Sequence, residues 1–156
     1  MDISTFDQTI AVNLRGTVDL IRQILPYLSR NTPLAPDGER GVIINVASSA
    51  AYDGQMGQVS YAASKGAIAS LTLPLARDLA QFGIRAVTIA PGPFESGMTA
   101  MMGDKVKKGL EKAMEFPKRA GRPEEFASLV QECIENPMLN GTVIRLDGAM
   151  RMPSKL

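Results

Sequence analysis

Two short apolar runs most restrict what this chain can fold into: GVIINVA at residues 41–47 and IRAVTIA at residues 84–90. Both are rich in β-branched residues and neither alternates apolar with polar. Such a run suits a strand covered on both faces, as in parallel sheets. Between them, residues 58–81 carry a long helical pattern, with Gly83 placed to end it. Strand, helix, strand predicts a right-handed parallel crossover. Pro74 falls inside this helix, so a kink or a compensating neighbour is expected there.

The flanks extend the same alternation. Ile10, Leu14, Thr17, Ile21, Leu25 and Leu28 recur at helical spacing and form one apolar stripe. Asp2 or Ser4 is placed to cap that helix, and the turn-rich stretch NTPLAPDG, residues 31–38, should stop it near Ser29. Pro91-Gly92-Pro93 ends the second strand. Residues 93–120 read as irregular, with helical potential from Thr99 to Met114. Pro123 opens a helix through Glu124 to Glu135, and TVIRLDG, residues 142–148, reads as a third strand. The expected fold class is α/β, a Rossmann-like parallel sheet with flanking helices. Three strands are few for such a sheet, and GVIINVA is too apolar for an unprotected edge. The chain therefore reads as one partial domain over 1–156, belonging to a larger sheet or borrowing strands from a partner.

Composition narrows the chemistry. The sequence has no histidine, which excludes Ser-His-Asp and Cys-His catalysis within the chain and any histidine-ligated metal. Cys133 is the only cysteine. It rules out an intrachain disulfide and, within an apolar helix, reads as inert core. A net charge of +1 and 5% aromatic residues argue against nucleic-acid binding, and that charge also argues against electrostatic attachment to a membrane. No apolar run approaches the length of a membrane span. MDISTFDQTIAVN has neither the basic region nor the apolar core of a signal peptide. A cytoplasmic location is expected.

Acid–base chemistry near neutral pH must then come from Tyr, Lys, Cys or a carboxylate. Tyr61 and Lys65 are four apart on the long predicted helix and share one face. Tyrosine alone is a poor base, with a pKa near 10, but a nearby ammonium favours the phenolate. Such a pair can move a proton at a carbon–oxygen bond. Ser48 ends the first strand, where a hydroxyl can face the crevice at the carboxyl edge of a parallel sheet.

The ordered set Val12-Asn13-Leu14-x-Gly16-Thr17, Ile43-Ile44-Asn45-x-x-Ser48-Ser49, Tyr61-x-x-x-Lys65, Pro91-Gly92 and Leu146-Asp147-Gly148 resembles the short-chain dehydrogenase/reductase family. The stretches GVIINVAS, TLPLARDLA and NGTVIRLDGAMRM look most like its branch acting on 3-hydroxyacyl-CoA thioesters and hydroxysteroids. The resemblance implies a secondary alcohol and a ketone interconverted with NAD, NADP remaining open. It implies Tyr61 as general acid/base and Lys65 as the holder of the nicotinamide ribose. It further implies Ser48 on the substrate oxygen and Asn13 in a water-mediated relay through Lys65. Pro91 and Gly92 would lie against the nicotinamide, with backbone near Phe94 and Ser96 at its carboxamide. The family usually has threonine near Ser96. Gln55 and Gln58 are candidate substrate-pocket residues, or solvated loop glutamines.

Family members begin with a strand, a glycine-rich turn and a helix that hold the cofactor pyrophosphate. No such motif occurs here, and the acidic residue that selects NAD is missing as well. The resemblance implies that the chain corresponds to the family's C-terminal half, its fifth to seventh strands, with the N-terminal phosphate-binding half absent. Self-association into a dimer or tetramer is then expected, through the first and Tyr61-bearing helices and the last strand, where Ala62, Ala63, Gly66, Ala67 and Ala69 allow close packing. A complementing N-terminal chain is a further possible partner. The rival reading is an inactive fragment that only self-associates. Lys105, Lys107, Lys108 and Lys112 form either a solvated face or a contact to substrate phosphates. Met98, Met101, Met102 and Met114 suit a pliable acyl pocket, core filler or a lid. Asp147-Gly148 reads as a turn.

Overall fold

The computed structural model describes residues 2–97, 103, 109, 110 and 112–154. Three parallel strands, β1 (Gly41–Val46), β2 (Ile84–Pro91) and β3 (Val143–Leu146), stand in the order β1-β2-β3. Helices α1 (Ile3–Ile10), α2 (Gly16–Leu28), α3 (Val59–Leu79) and α4 (Pro123–Glu135) flank them.

The register assigns the faces. Ile43 of β1 and Ile84 of β2 pack with Ile21 of α2 and Leu79 of α3. Ala47 and Ala90 pack on Ile68 of α3. Val42, Ile44, Val87 and Ile89 point the other way, onto Phe126, Leu129 and Cys133 of α4. Both faces of β1 are therefore covered, as its composition predicts. Its outer edge is not: no strand among the described residues pairs there, and Val46 is 44% exposed.

The N-terminal stripe forms one continuous helical run in which α1 and α2 are joined by a π-helical segment. Asp2 caps α1 by accepting from the Thr5 N–H at 2.9 Å. Ala11–Arg15 is a π-helical segment, and α2 follows from Gly16 to Leu28. Asn13 lies in that wider turn. α3 runs unbroken through Pro74, and after a single 3-10 turn (Ala80–Phe82) Gly83 turns the chain at φ +67°, a conformation that glycine adopts without steric cost. The helical potential from Thr99 to Met114 falls largely outside the described residues.

Arg85 of β2, 6% exposed, fastens α4 to the sheet. It pairs with Glu39 at 2.8 Å and donates to the carbonyls of Cys133, Ile134 and Leu139 at 2.7–2.9 Å. The Cys133 and Ile134 carbonyls belong to the last turn of α4, where carbonyls lack a helical partner, and a cation there also complements the helix dipole. Cys133 is fully buried, and burial pushes its thiol up. This agrees with an inert core residue.

Candidate active site

The site gathers where β1 ends and α3 begins. Residues Ser49–Ala51 form a 3-10 turn, and Ser48 caps it by accepting from the Ala50 N–H at 3.1 Å. That bond uses one lone pair and leaves the hydroxyl proton available. The turn lies close on α3. A Cβ on Gly54 would come within 3.0 Å of Ala62, and one on Gly66 within 3.8 Å of the Ala51 carbonyl. The small residues of YAASKGA therefore hold the Ser48 segment beside the Tyr61 turn of the helix.

Lys65 joins the two elements. Its Nζ donates to the Val46 carbonyl at 2.9 Å and lies 5.8 Å from the centre of the Tyr61 ring. Val46 is two residues before Ser48. The ammonium is half-buried, and that burial holds it below the usual lysine value of 10.5. The Tyr61 side of the residue is open, at 39% exposure. The phenol, the ammonium and the Ser48 segment thus share one end of the sheet.

Asn13 reaches the same helix from the π-helical turn. Its amide donates to Ser64 Oγ at 3.1 Å, and Ser64 donates to the Tyr61 carbonyl at 2.7 Å. The Asn13 carbonyl accepts from Thr17 Oγ1 at 2.7 Å. Ser64 is fully buried and was not singled out in the sequence. Its signal there is only its place, three residues after Tyr61 on an inward face.

The other predicted residues are spread more widely. Pro91 and Gly92 end β2, the neighbouring strand. A Cβ on Gly92 would stand 3.0 Å from Asp147, so this backbone lies directly on the turn after β3. Phe94 turns its ring toward α4, edge-on to Phe126 with centroids 5.7 Å apart and covering Gly121. Ser96 follows on an exposed stretch.

Gln55 and Gln58 are engaged within their own loop. Gln58 Oε1 accepts from the Gln55 N–H at 2.9 Å, and Gln55 Nε2 donates to the Pro153 carbonyl at 2.9 Å. Met114 is buried, with its methyl close to Gly148, and Lys112 is exposed. Met98, Met101, Met102, Lys105, Lys107 and Lys108 lie outside the described residues. Asp147 is 8% exposed and paired with Arg145 at 2.6 Å, before a glycine at φ +58°. Asp147-Gly148 is accordingly a turn.

A cavity of about 220 Å³ lies on the α4 side, lined by Pro93, Phe94, Met114, Arg119 and Leu146 among others. Tyr61, Lys65 and Ser48 do not line it, so it is separate from the Tyr–Lys site. Among the described residues no group of three or more Cys, Asp or Glu could hold a metal. No described helix is long and apolar enough to cross a membrane.

The family model for short chain dehydrogenases matches residues 1–107. The chain belongs to the short-chain dehydrogenase family. Its α/β architecture of three parallel strands with flanking helices is a partial Rossmann-like form of that fold. It is 53% identical over 150 residues to the rat protein called 3-hydroxyacyl-CoA dehydrogenase type-2, a match covering 96% of this chain and 57% of the relative. The crystal structure of 3-hydroxyacyl-CoA dehydrogenase type-2 from Mycobacterium avium superposes with a TM-score of 0.93 at 39% identity. That match covers 99% of this chain and 60% of that one. A 3-oxoacyl-[acyl-carrier protein] reductase from Brucella melitensis, solved with bound NAD, has a TM-score of 0.80 at 26% identity, over 98% of this chain and 54% of that one. The chain thus spans a little over half the length of the relatives it matches.

Proposed function

We propose that this chain carries the acid–base half of a nicotinamide-dependent oxidoreductase that interconverts a secondary alcohol and a ketone, with a 3-hydroxyacyl-CoA thioester as the substrate class. The observation that carries this reading is Lys65, which contacts both the Tyr61 ring and the strand end that presents Ser48. Similarity to 3-hydroxyacyl-CoA dehydrogenases supports the substrate class.

In the oxidative direction Tyr61 takes the hydroxyl proton. The Lys65 ammonium stabilises the phenolate that accepts this proton. Ser48 donates its hydroxyl proton to the substrate oxygen and holds that oxygen facing Tyr61. Asn13, tied through Ser64 to the Tyr61 turn, stands where a water chain from Lys65 would lead the proton away.

The nicotinamide cofactor supplies a hydride acceptor or donor. The strand-end residues fit its nicotinamide riboside. Lys65 has three protons and spends one on Val46, so ribose hydroxyls can take the others. Pro91 and Gly92 offer backbone at the adjacent strand end, and Phe94 and Ser96 lie beyond it. The pyrophosphate has no comparable seat: no glycine-rich turn opening a helix occurs among the described residues. NAD is the proposed cofactor, with NADP as the alternative.

The test is acetoacetyl-CoA-dependent oxidation of NADH by the purified chain, together with an equilibrium titration of NADH. Thioester-dependent turnover is expected. Tight NADH binding without turnover on any 3-oxoacyl thioester would refute the substrate class.

A second reading is favoured by the outer edge of β1, which no strand among the described residues pairs, and by exposed apolar residues on the first helical run, Val12 at 67%, Leu20 at 61% and Tyr27 at 74%. On that reading the isolated chain self-associates and binds cofactor only when another segment adds strands. A defined dimer or tetramer with no NADH binding below millimolar would favour it.

A further inference from the structure

Arg145 sits in a four-residue strand, yet its side chain is only 22% exposed. It follows Val143 on the face of the sheet that α3 covers. Its guanidinium holds three segments at once. Nε donates to Asp147 at 2.6 Å, and Nη2 donates to Asp53 and, at 3.2 Å, to the Met150 carbonyl. The guanidinium carbon also lies 5.2 Å from the centre of the Tyr52 ring, a stacking contact that arginine makes readily.

The placement of these partners matters. Tyr52 and Asp53 follow directly on the Ser49–Ala51 turn that Ser48 caps. Asp147 is the residue on which Gly92 rests, with 3.0 Å available to a Cβ. One cation therefore spans from the loop after β1 to the loop after β2, by way of the turn after β3. Arg151, 3.5 Å from Asp147, sets a second positive charge beside that carboxylate. The same loop is tied to the tail, where the Met56 N–H donates to the Ser154 carbonyl at 3.1 Å and Gln55 to that of Pro153 at 2.9 Å.

We infer that Arg145 is a positioning residue that sets the separation between the Ser48 hydroxyl and the Pro91–Gly92 turn across the mouth of the site. This rests on the reading of that mouth as the place of reaction. Arg145 touches neither Ser48 nor Tyr61. It acts by bracing the two loops against each other, and arginine is the side chain whose planar fork can hold two carboxylates and an aromatic face together. Removing it leaves Asp53 and Asp147 facing each other's surroundings without their shared cation.

Hydrogen exchange of the full chain, read by mass spectrometry on peptides, tests this. In Arg145→Met, amides of residues 48–58 and 91–97 should exchange about tenfold faster or more, while β1 and β2 keep wild-type protection. Arg145→Lys should not restore them, because an ammonium cannot bridge both carboxylates. Acceleration confined to residues 143–151, or none, overturns the proposal. Should Arg145→Met fail to fold, Asp53→Asn keeps the Asp147 pair and should free residues 48–58 alone; unchanged exchange there overturns it equally. In acetoacetyl-CoA reduction, Arg145→Met should lower kcat about tenfold or more with little change in the thioester KM, as misplacement of a reacting group does. A wild-type kcat in that variant overturns the proposal. Absence of turnover in the wild-type chain counts against the proposed function, and the exchange experiment then still decides on Arg145.

Discussion

Lys65 Nζ stands 2.9 Å from the Val46 carbonyl and 5.8 Å from the centre of the Tyr61 ring, so one side chain ties helix α3 to the end of strand β1. The contact comes with partial desolvation of the ammonium, which lowers its pKa from 10.5. The folded state disfavours the charged form, so the unfolded chain keeps this proton to higher pH. Stability therefore rises with pH between the depressed value and 10.5. Lys65→Met lacks this term. The melting temperature of the wild type relative to that variant should climb as pH rises toward 10.5. Paired calorimetric scans check it, and a flat or falling difference contradicts it.

Ser64 is buried between Asn13 and the Tyr61 carbonyl, with both bonds made by one hydroxyl. Ser64→Ala removes the partner of the Asn13 amide in a part-buried setting. Denaturant unfolding should show a loss of about 1–3 kcal/mol, the cost of leaving buried polar groups unsatisfied. A variant as stable as the wild type would show that this bridge does not hold the π-helical turn to α3.

Glu125 accepts from the Arg119 guanidinium at 2.7 Å and from the Arg122 N–H at 2.7 Å, at the start of α4. These bonds hold its carboxyl down at about 2. Its contribution to stability is complete above 4.5 and is lost as pH falls toward 2. Carbon-detected NMR titration should find this midpoint, and Arg119→Met should return it toward 4.5. An ordinary glutamate midpoint in the wild type would mean that the pair does not persist in solution.

The strands and the long helix were legible because their signals are local. GVIINVA and IRAVTIA announce buried strands by composition, and Gly83 marks the helix end that its φ of +67° requires. Tyr61 and Lys65 were legible because helical spacing alone puts them on one face. The rest depends on contacts that spacing does not encode. The π-helical turn at Asn13 shifts a hydrogen bond by one residue and leaves no mark in composition. Arg145 meets Asp53 across 92 positions of sequence, so neither residue points to the other. Gln55 and Gln58 read in the sequence as either pocket or loop glutamines, and their side chains close their own loop and grip the tail through contacts that spacing does not show.

In the proposed reaction the Tyr61 hydroxyl is the group that moves the proton. The residue is 39% exposed, so losing one oxygen should leave the fold intact. The decisive measurement is acetoacetyl-CoA-dependent NADH oxidation by Tyr61→Phe beside the wild type, with matched circular dichroism. A loss of about 10²-fold or more in turnover is expected, the usual contribution of a positioned acid–base group. Turnover in Tyr61→Phe equal to that of the wild type would contradict it.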